Sequence, residues 1–118
     1  MKTKSAKAKG RSLATKVATW LRQVGGLDPR DVSVTPSGVT GPDITFSALG
    51  ANVWPFAIEC KKHAKFAVYE YYDQAVEHSN DYSGIPLLII EANRRRPLVV
   101  VDAQWFFNAY ARLSDYAH

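Results

Sequence analysis

Hydrophobic residues recur along this chain with two periods, and the changes between them mark its elements. From Gly10 onward Leu13, Val17, Trp20, Leu21 and Val24 fall on one helical stripe with Ala14 and Ala18 on its flank, and Gly25-Gly26 closes it. Val32-Ser33-Val34-Thr35 alternates as a short strand, and Pro36 to Pro42 reads as a loop punctuated by glycine and proline. A second helical stripe, Ala67, Val68, Tyr71, Tyr72, Ala75, Val76 and Ser79, runs through residues 66–79. The segments 86–91 and 97–102 carry the unbroken apolar runs Leu-Leu-Ile-Ile and Leu-Val-Val-Val, which predicts strands buried on both faces. Asp102 is placed to cap a last helix over 103–113.

Between the loop and the second helix, residues 41–62 read as a β-hairpin. Strands over 43–49 and 53–60, joined by Gly50-Ala51-Asn52, set Ile44 against Ile58, Phe46 against Phe56 and Ala48 against Trp54 on one apolar face. The other face then carries Asp43 opposite Glu59, with Lys61 beside them. Two carboxylates at that spacing repel, so a cation or the Lys61 ammonium must stand between them. A surface salt bridge among the same three residues is the competing reading. The element order is αβββαββα: a single α/β domain over residues 10–118, with a mixed central sheet flanked by helices, behind a flexible basic arm at 1–9.

The chain of 118 residues suffices for one core and leaves little room for a second. Its net charge of +4 is concentrated in clusters, which suits a polyphosphate partner. Lys7, Lys9 and Arg11 crowd the start, Lys62 and Lys65 follow the hairpin, and Arg94 and Arg95 lie in a turn. Solvated surface charge is the competing account of each cluster. Ser37, in the glycine-containing loop, can donate to a phosphate or simply serve the turn. Cys60 is the only cysteine, which excludes an intramolecular disulfide and a cysteine-built zinc site, and its position predicts a buried filler. His63, His78 and His118 are too scattered for a zinc motif and read as surface residues. No run of about 20 apolar residues spans a membrane, and no apolar segment follows the basic start, so a cytoplasmic setting is expected.

Pro42-Asp43, a spacer and Glu59-Cys60-Lys61 resemble the PD-(D/E)XK signature of the restriction-endonuclease-like nucleases. Gly10 opening the first helix, Ser37-Gly38, Gln74 in the helix after the site and Gly84-Ile85-Pro86 before an apolar strand resemble, within that group, the archaeal-type Holliday junction resolvases and their phage relatives. The likeness covers residues 9–107. It implies a metal-dependent DNA endonuclease, structure-selective on branched DNA and working as a homodimer, with residues 104–110 as a candidate contact. It implies Mg²⁺, for which Mn²⁺ can substitute, held by Asp43, Glu59 and the backbone carbonyl of Cys60. Lys61 would orient or deprotonate the attacking water, and Gln74 would orient the site.

One position departs from that family. Its resolvases carry a glutamate four residues after the helix-opening glycine, where this chain has Ala14; Asp31 and Glu70 are the carboxylates considered as substitutes. The alternatives are another phage or repair endonuclease or nickase of the same fold, and a dimeric DNA-binding protein whose active site has decayed.

Overall fold

A computed structural model describes residues 2–62 and 67–117, with side chains over 9–62 and 67–113. The elements are α1 (Lys2–Gly25), β1 (Val32–Val34), β2 (Ile44–Phe46), α2 (Ala48–Val53), β3 (Phe56–Lys62), α3 (Val68–Tyr82), β4 (Ile85–Glu91), β5 (Leu98–Val100) and α4 (Ala103–Ala117). Strands β3 and β4 pair in parallel, and β5 pairs antiparallel to β4. The result is the expected α/β domain, a mixed sheet between helices and compatible with a restriction-endonuclease-like fold.

The parallel pair requires a crossover, which α3 supplies. Register decides what each helix covers. Ile58, Cys60 and Lys62 stand beside Leu87, Ile89 and Glu91, and Ile58, Cys60, Leu87 and Ile89 form one core with Leu13, Ala14, Val17 and Ala18 of α1. Ala57, Glu59 and Lys61 alternate with these and point to the opposite face, where Ala75 of α3 is fully buried. The helix stripe differs from expectation on one side: Ala14 and Ala18 are core, while Trp20 and Val24 are 41% and 76% exposed. Small alanines let the helix approach the sheet closely.

The basic stretch expected as a separate arm is helical in backbone from Lys2 and continuous with α1. Its lysines and alanines are strong helix formers.

The hairpin expected over 43–60 does not form. β2 pairs antiparallel with β1, with Ile44 opposite Val34 and Phe46 opposite Val32, and the supposed turn lies inside α2. Ser47 is the reason. Its hydroxyl accepts the Gly50 N–H at 3.0 Å as an N-cap and donates to Asp31 Oδ1 at 2.8 Å, while its own N–H bonds the Asp31 carbonyl at 3.0 Å. Trp54, expected on the hairpin's apolar face, instead donates from Nε1 to the Leu21 carbonyl at 3.0 Å.

β4 is buried over Leu87, Leu88 and Ile89, as its apolar run predicts. β5 is not: Leu98 and Val99 are 60% and 58% exposed. It is the outer strand of the sheet, with neither face covered as β4's faces are. α4 begins where expected, with the Trp105 N–H donating to Asp102 Oδ1 at 2.8 Å.

Gly50 gives a test of the α2 anchor. A Cβ built there would lie 2.2 Å from the Asp31 carbonyl oxygen. Alanine is the better helix former by about 1 kcal/mol, yet Gly50→Ala is expected to destabilise by about 2 kcal/mol through overpacking. Thermal denaturation followed by circular dichroism should show a midpoint lowered by roughly 8 °C; an unchanged or raised midpoint contradicts this anchoring.

Candidate active site

Asp43 reaches the sheet by a route other than a hairpin and still meets Glu59. The β1–β2 ribbon continues one step beyond its ladder, where Thr35 N–H bonds the Asp43 carbonyl at 2.9 Å and Thr35 Oγ1 donates to the Pro42 carbonyl at 2.6 Å. On its other side the Asp43 N–H donates to the Ile58 carbonyl at 2.9 Å, and the Cys60 N–H donates to Asp43 Oδ2 at 2.8 Å. Asp43 is therefore docked on the edge of β3 away from β4. A strand residue's N–H and C=O point the same way, so the Cys60 carbonyl belongs to that edge too. Gly10 of α1 lies over this carbonyl, and a Cβ there would come within 3.5 Å of it.

Glu59 is buried, 4% exposed, and His78 Nδ1 of α3 contacts its Oε1. Burial and the charge of Asp43 push the Glu59 carboxyl up to about 6, against His78 and Lys61, which pull it down. Asp43 is also raised, chiefly by burial, although the Cys60 N–H and the Lys61 charge oppose this. Lys61 is thus within electrostatic reach of both, and its Nζ stands 5.3 Å from the centre of the Tyr71 ring. Burial and the two neighbouring carboxylates push the Cys60 thiol far up, which suits the expected inert filler.

Beside the pair opens a cleft of about 440 Å³, bounded by Gly10, Arg11 and Ala14 of α1, the loop 35–41, and Asp43, Cys60, Lys61 and Lys62. Arg11 ties helix to loop, donating to Ser37 Oγ at 3.2 Å and to the Thr35 carbonyl at 3.4 Å. Lys62 forms an ion pair with the buried Glu91 at 3.3 Å, and Lys16 joins the same carboxylate at 2.7 Å. Burial works against the Glu91 charge, but the two lysines outweigh it and hold its carboxyl below the usual range. The ion triad anchors Lys62 at the cleft while leaving an excess of positive charge.

The structure brings together Asp43, Glu59, Cys60 and Lys61, with Arg11, Ser37 and Lys62 around them. Lys9 is exposed one residue before Gly10, and Arg94 and Arg95 are exposed in the β4–β5 turn beyond Glu91. Only the backbone of Lys7 is described, and Lys65, His63 and His118 lie outside the described residues. Gln74 is exposed. The residue one helical turn later, His78, makes the contact with Glu59, so its expected surface role is corrected. Its signal in sequence was the spacing of four from Gln74, which puts both on one helix face. Glu91 was also missed, as a charge ending an apolar strand. Asp31 and Glu70 do not line the cleft, whereas Ala14 does. Asp31 is occupied instead by Ser47 and the Asp28 N–H.

Among the described residues no set of three or more His, Cys, Asp or Glu side chains is arranged to hold a metal. Two carboxylates and one free-edge carbonyl are nevertheless hard oxygen donors of the kind Mg²⁺ takes alongside water and phosphate. Their crowding in a buried position calls for a positive charge, so the donor set fits a divalent cation.

A family model described as "Phage putative PDDEXK endonuclease" matches residues 5–117. No curated protein and no solved structure matches the chain.

The raised Glu59 pKa has a sign that can be checked. The folded protein holds this proton more tightly than the unfolded chain, whose carboxyl titrates near 4.5. Stability of the metal-free protein is therefore expected to fall as pH rises from 4.5 through about 6, and to level off above that. Glu59→Gln should flatten this slope and raise the melting temperature at pH 8 relative to wild type, but not at pH 4. Equal slopes in wild type and variant would contradict the assignment.

Proposed function

This chain belongs to the phage PDDEXK endonuclease family, and on that footing we propose that it is a divalent-metal-dependent endonuclease that cuts branched DNA as a homodimer. The observation that carries the hydrolytic reading is the meeting of Asp43 and Glu59 at the free edge of β3, with Lys61 on the same strand, beside a cleft rimmed by basic side chains. Asp43, Glu59 and the Cys60 carbonyl would hold Mg²⁺ or Mn²⁺. When bound, such an ion lowers the pKa of a water and offsets charge on the phosphoryl oxygens.

The protein's own residues supply the rest. Lys61 orients the attacking water, takes its proton or steadies the departing oxyanion, and its charge opposes the rise that burial imposes on both carboxyls. Arg11, Ser37 and Lys62 line the path of the DNA backbone, with Lys9, Arg94 and Arg95 as outer phosphate contacts; the phosphate contacts expected of Lys7 and Lys65 fall on side chains outside the described residues. Gln74, on the helix face of His78, is the amide available to a bound substrate. Among the described side chains none of these groups forms an array for base edges, which favours selection by DNA shape over sequence.

A second copy is supported by apolar side chains left exposed on β5 and α4. Leu98 and Val99 of β5, and Phe106, Phe107, Tyr110 and Leu113 of α4, are each between 48% and 68% exposed. Aromatic and aliphatic side chains on that scale provide roughly 600 Å² per copy, close to the roughly 800 Å² of a standard interface once a polar rim is added. Two copies carry two sites, as cutting both strands at a junction demands. No helix among the described residues is long and apolar enough to cross a membrane.

Ala14 favours a second reading, a DNA-binding protein that no longer cuts, since this cleft-lining position offers no carboxylate. Incubating the protein with a synthetic four-way junction, a duplex and a single strand, in Mg²⁺ or Mn²⁺, separates the two. Paired symmetric cuts on the junction are expected, reduced at least about 1,000-fold in Glu59→Ala and Lys61→Ala while binding is largely retained. Binding by wild type without cleavage under either metal would leave the second reading standing. For the dimer, Phe107→Asp combined with Tyr110→Asp should convert a two-chain mass to one in light scattering; a single-chain mass for wild type would overturn the pairing.

A further inference from the structure

Helix α3 holds both carboxylate-bearing segments through two side chains one turn apart. His78 Nδ1 contacts Glu59 Oε1, and the Tyr82 ring stands edge-on to His78 with centroids 6.1 Å apart. The same Tyr82 ring packs on Gly41, whose built Cβ would lie 3.6 Å from it, at the bend two residues before Asp43. Gly41 has φ of 137°, a backbone region that side chains resist, so the ring rests on a bend suited to glycine. One face of α3 thus sets where Glu59 points and where the chain turns into Asp43.

Resting on the metal-dependent reading above, we propose that His78 is a positioning residue: its Nδ1–H holds Glu59 Oε1 and leaves Oε2 directed at the cation. A buried carboxylate with one oxygen tied and one open presents a single preferred donor. Without the tie, the side chain rotates between arrangements, and part of the binding energy goes into selecting one of them. His78 does not itself touch the cation or the reacting phosphate. Tyr82 adds an edge-on ring contact to the imidazole, while Glu59 itself is buried. Lys61, on the same sheet face as Glu59, provides charge but reaches Tyr71, which leaves orientation of Glu59 to His78.

The donor can be separated from the bulk of the side chain. Asparagine places an N–H donor on Cγ where histidine has Nδ1, and leucine has nearly the shape of asparagine with no donor. Both variants lose the ring contact with Tyr82 equally. Mn²⁺ binding to the DNA-free protein, measured by calorimetry, is expected to weaken about 10-fold or more in His78→Leu and to stay within about threefold of wild type in His78→Asn. The Mn²⁺ concentration for half-maximal cleavage should shift in parallel, with the rate at saturating Mn²⁺ changing much less. His78→Ala provides the donor-free variant should His78→Leu not fold. Equal affinity in wild type and the donor-free variant overturns the proposal. So does an asparagine variant as weak as the leucine one, because then only the ring matters. If wild type takes up no Mn²⁺, the metal-dependent reading falls and this inference with it; if wild type binds and cuts with Mn²⁺ but the variants bind equally, only the role of His78 falls.

Discussion

The docking of Asp43 on the edge of β3 is the interaction on which the rest depends. It joins two sheets that share no ladder: the Asp43 N–H reaches the Ile58 carbonyl, and the Cys60 N–H returns to the Asp43 carboxylate. An edge strand presents unpaired backbone groups, and here an aspartate occupies them where a neighbouring strand would otherwise bind. The same two hydrogen bonds close the sheet's edge, seat the β1–β2 ribbon and bring a carboxylate beside Glu59.

That arrangement carries an electrostatic cost, which the fold localises. Asp43 and Glu59 are both raised by burial, and no side chain among the described residues fully neutralises them. Elsewhere the buried charge is compensated, as at Glu91, which has two lysines. A charge-compensated carboxylate at Glu91 thus contrasts with a crowded, under-compensated pair beside the cleft. A family match over residues 5–117 and the strand-edge geometry point the same way from independent directions.

Much of this was legible in the chain. The helices α1, α3 and α4 followed from period and caps, and β4 from its apolar run. The meeting of Asp43 with Glu59 and Lys61 was legible from their alternation, although the hairpin that this alternation predicts does not form. The apolar matches of Ile44, Phe46 and Ala48 with their supposed partners were accidents of period two in a segment where Ser47 starts a helix. Cap chemistry acting over three residues outweighed alternation extending over eight.

By itself the sequence determined what local physics controls: the periodicity of the three long helices, the cap that opens α4, the burial of β4, which residue types can hold a hard cation, and a basic balance suited to phosphate. Tertiary structure alone decided the partners. It placed His78 rather than Gln74 against Glu59, gave Glu91 its two lysines, left β5 and the aromatic face of α4 uncovered, and put Ala14 in the cleft wall. Each of these depends on which distant segment arrives alongside, and a side chain's periodicity states which way it faces but not what it meets there.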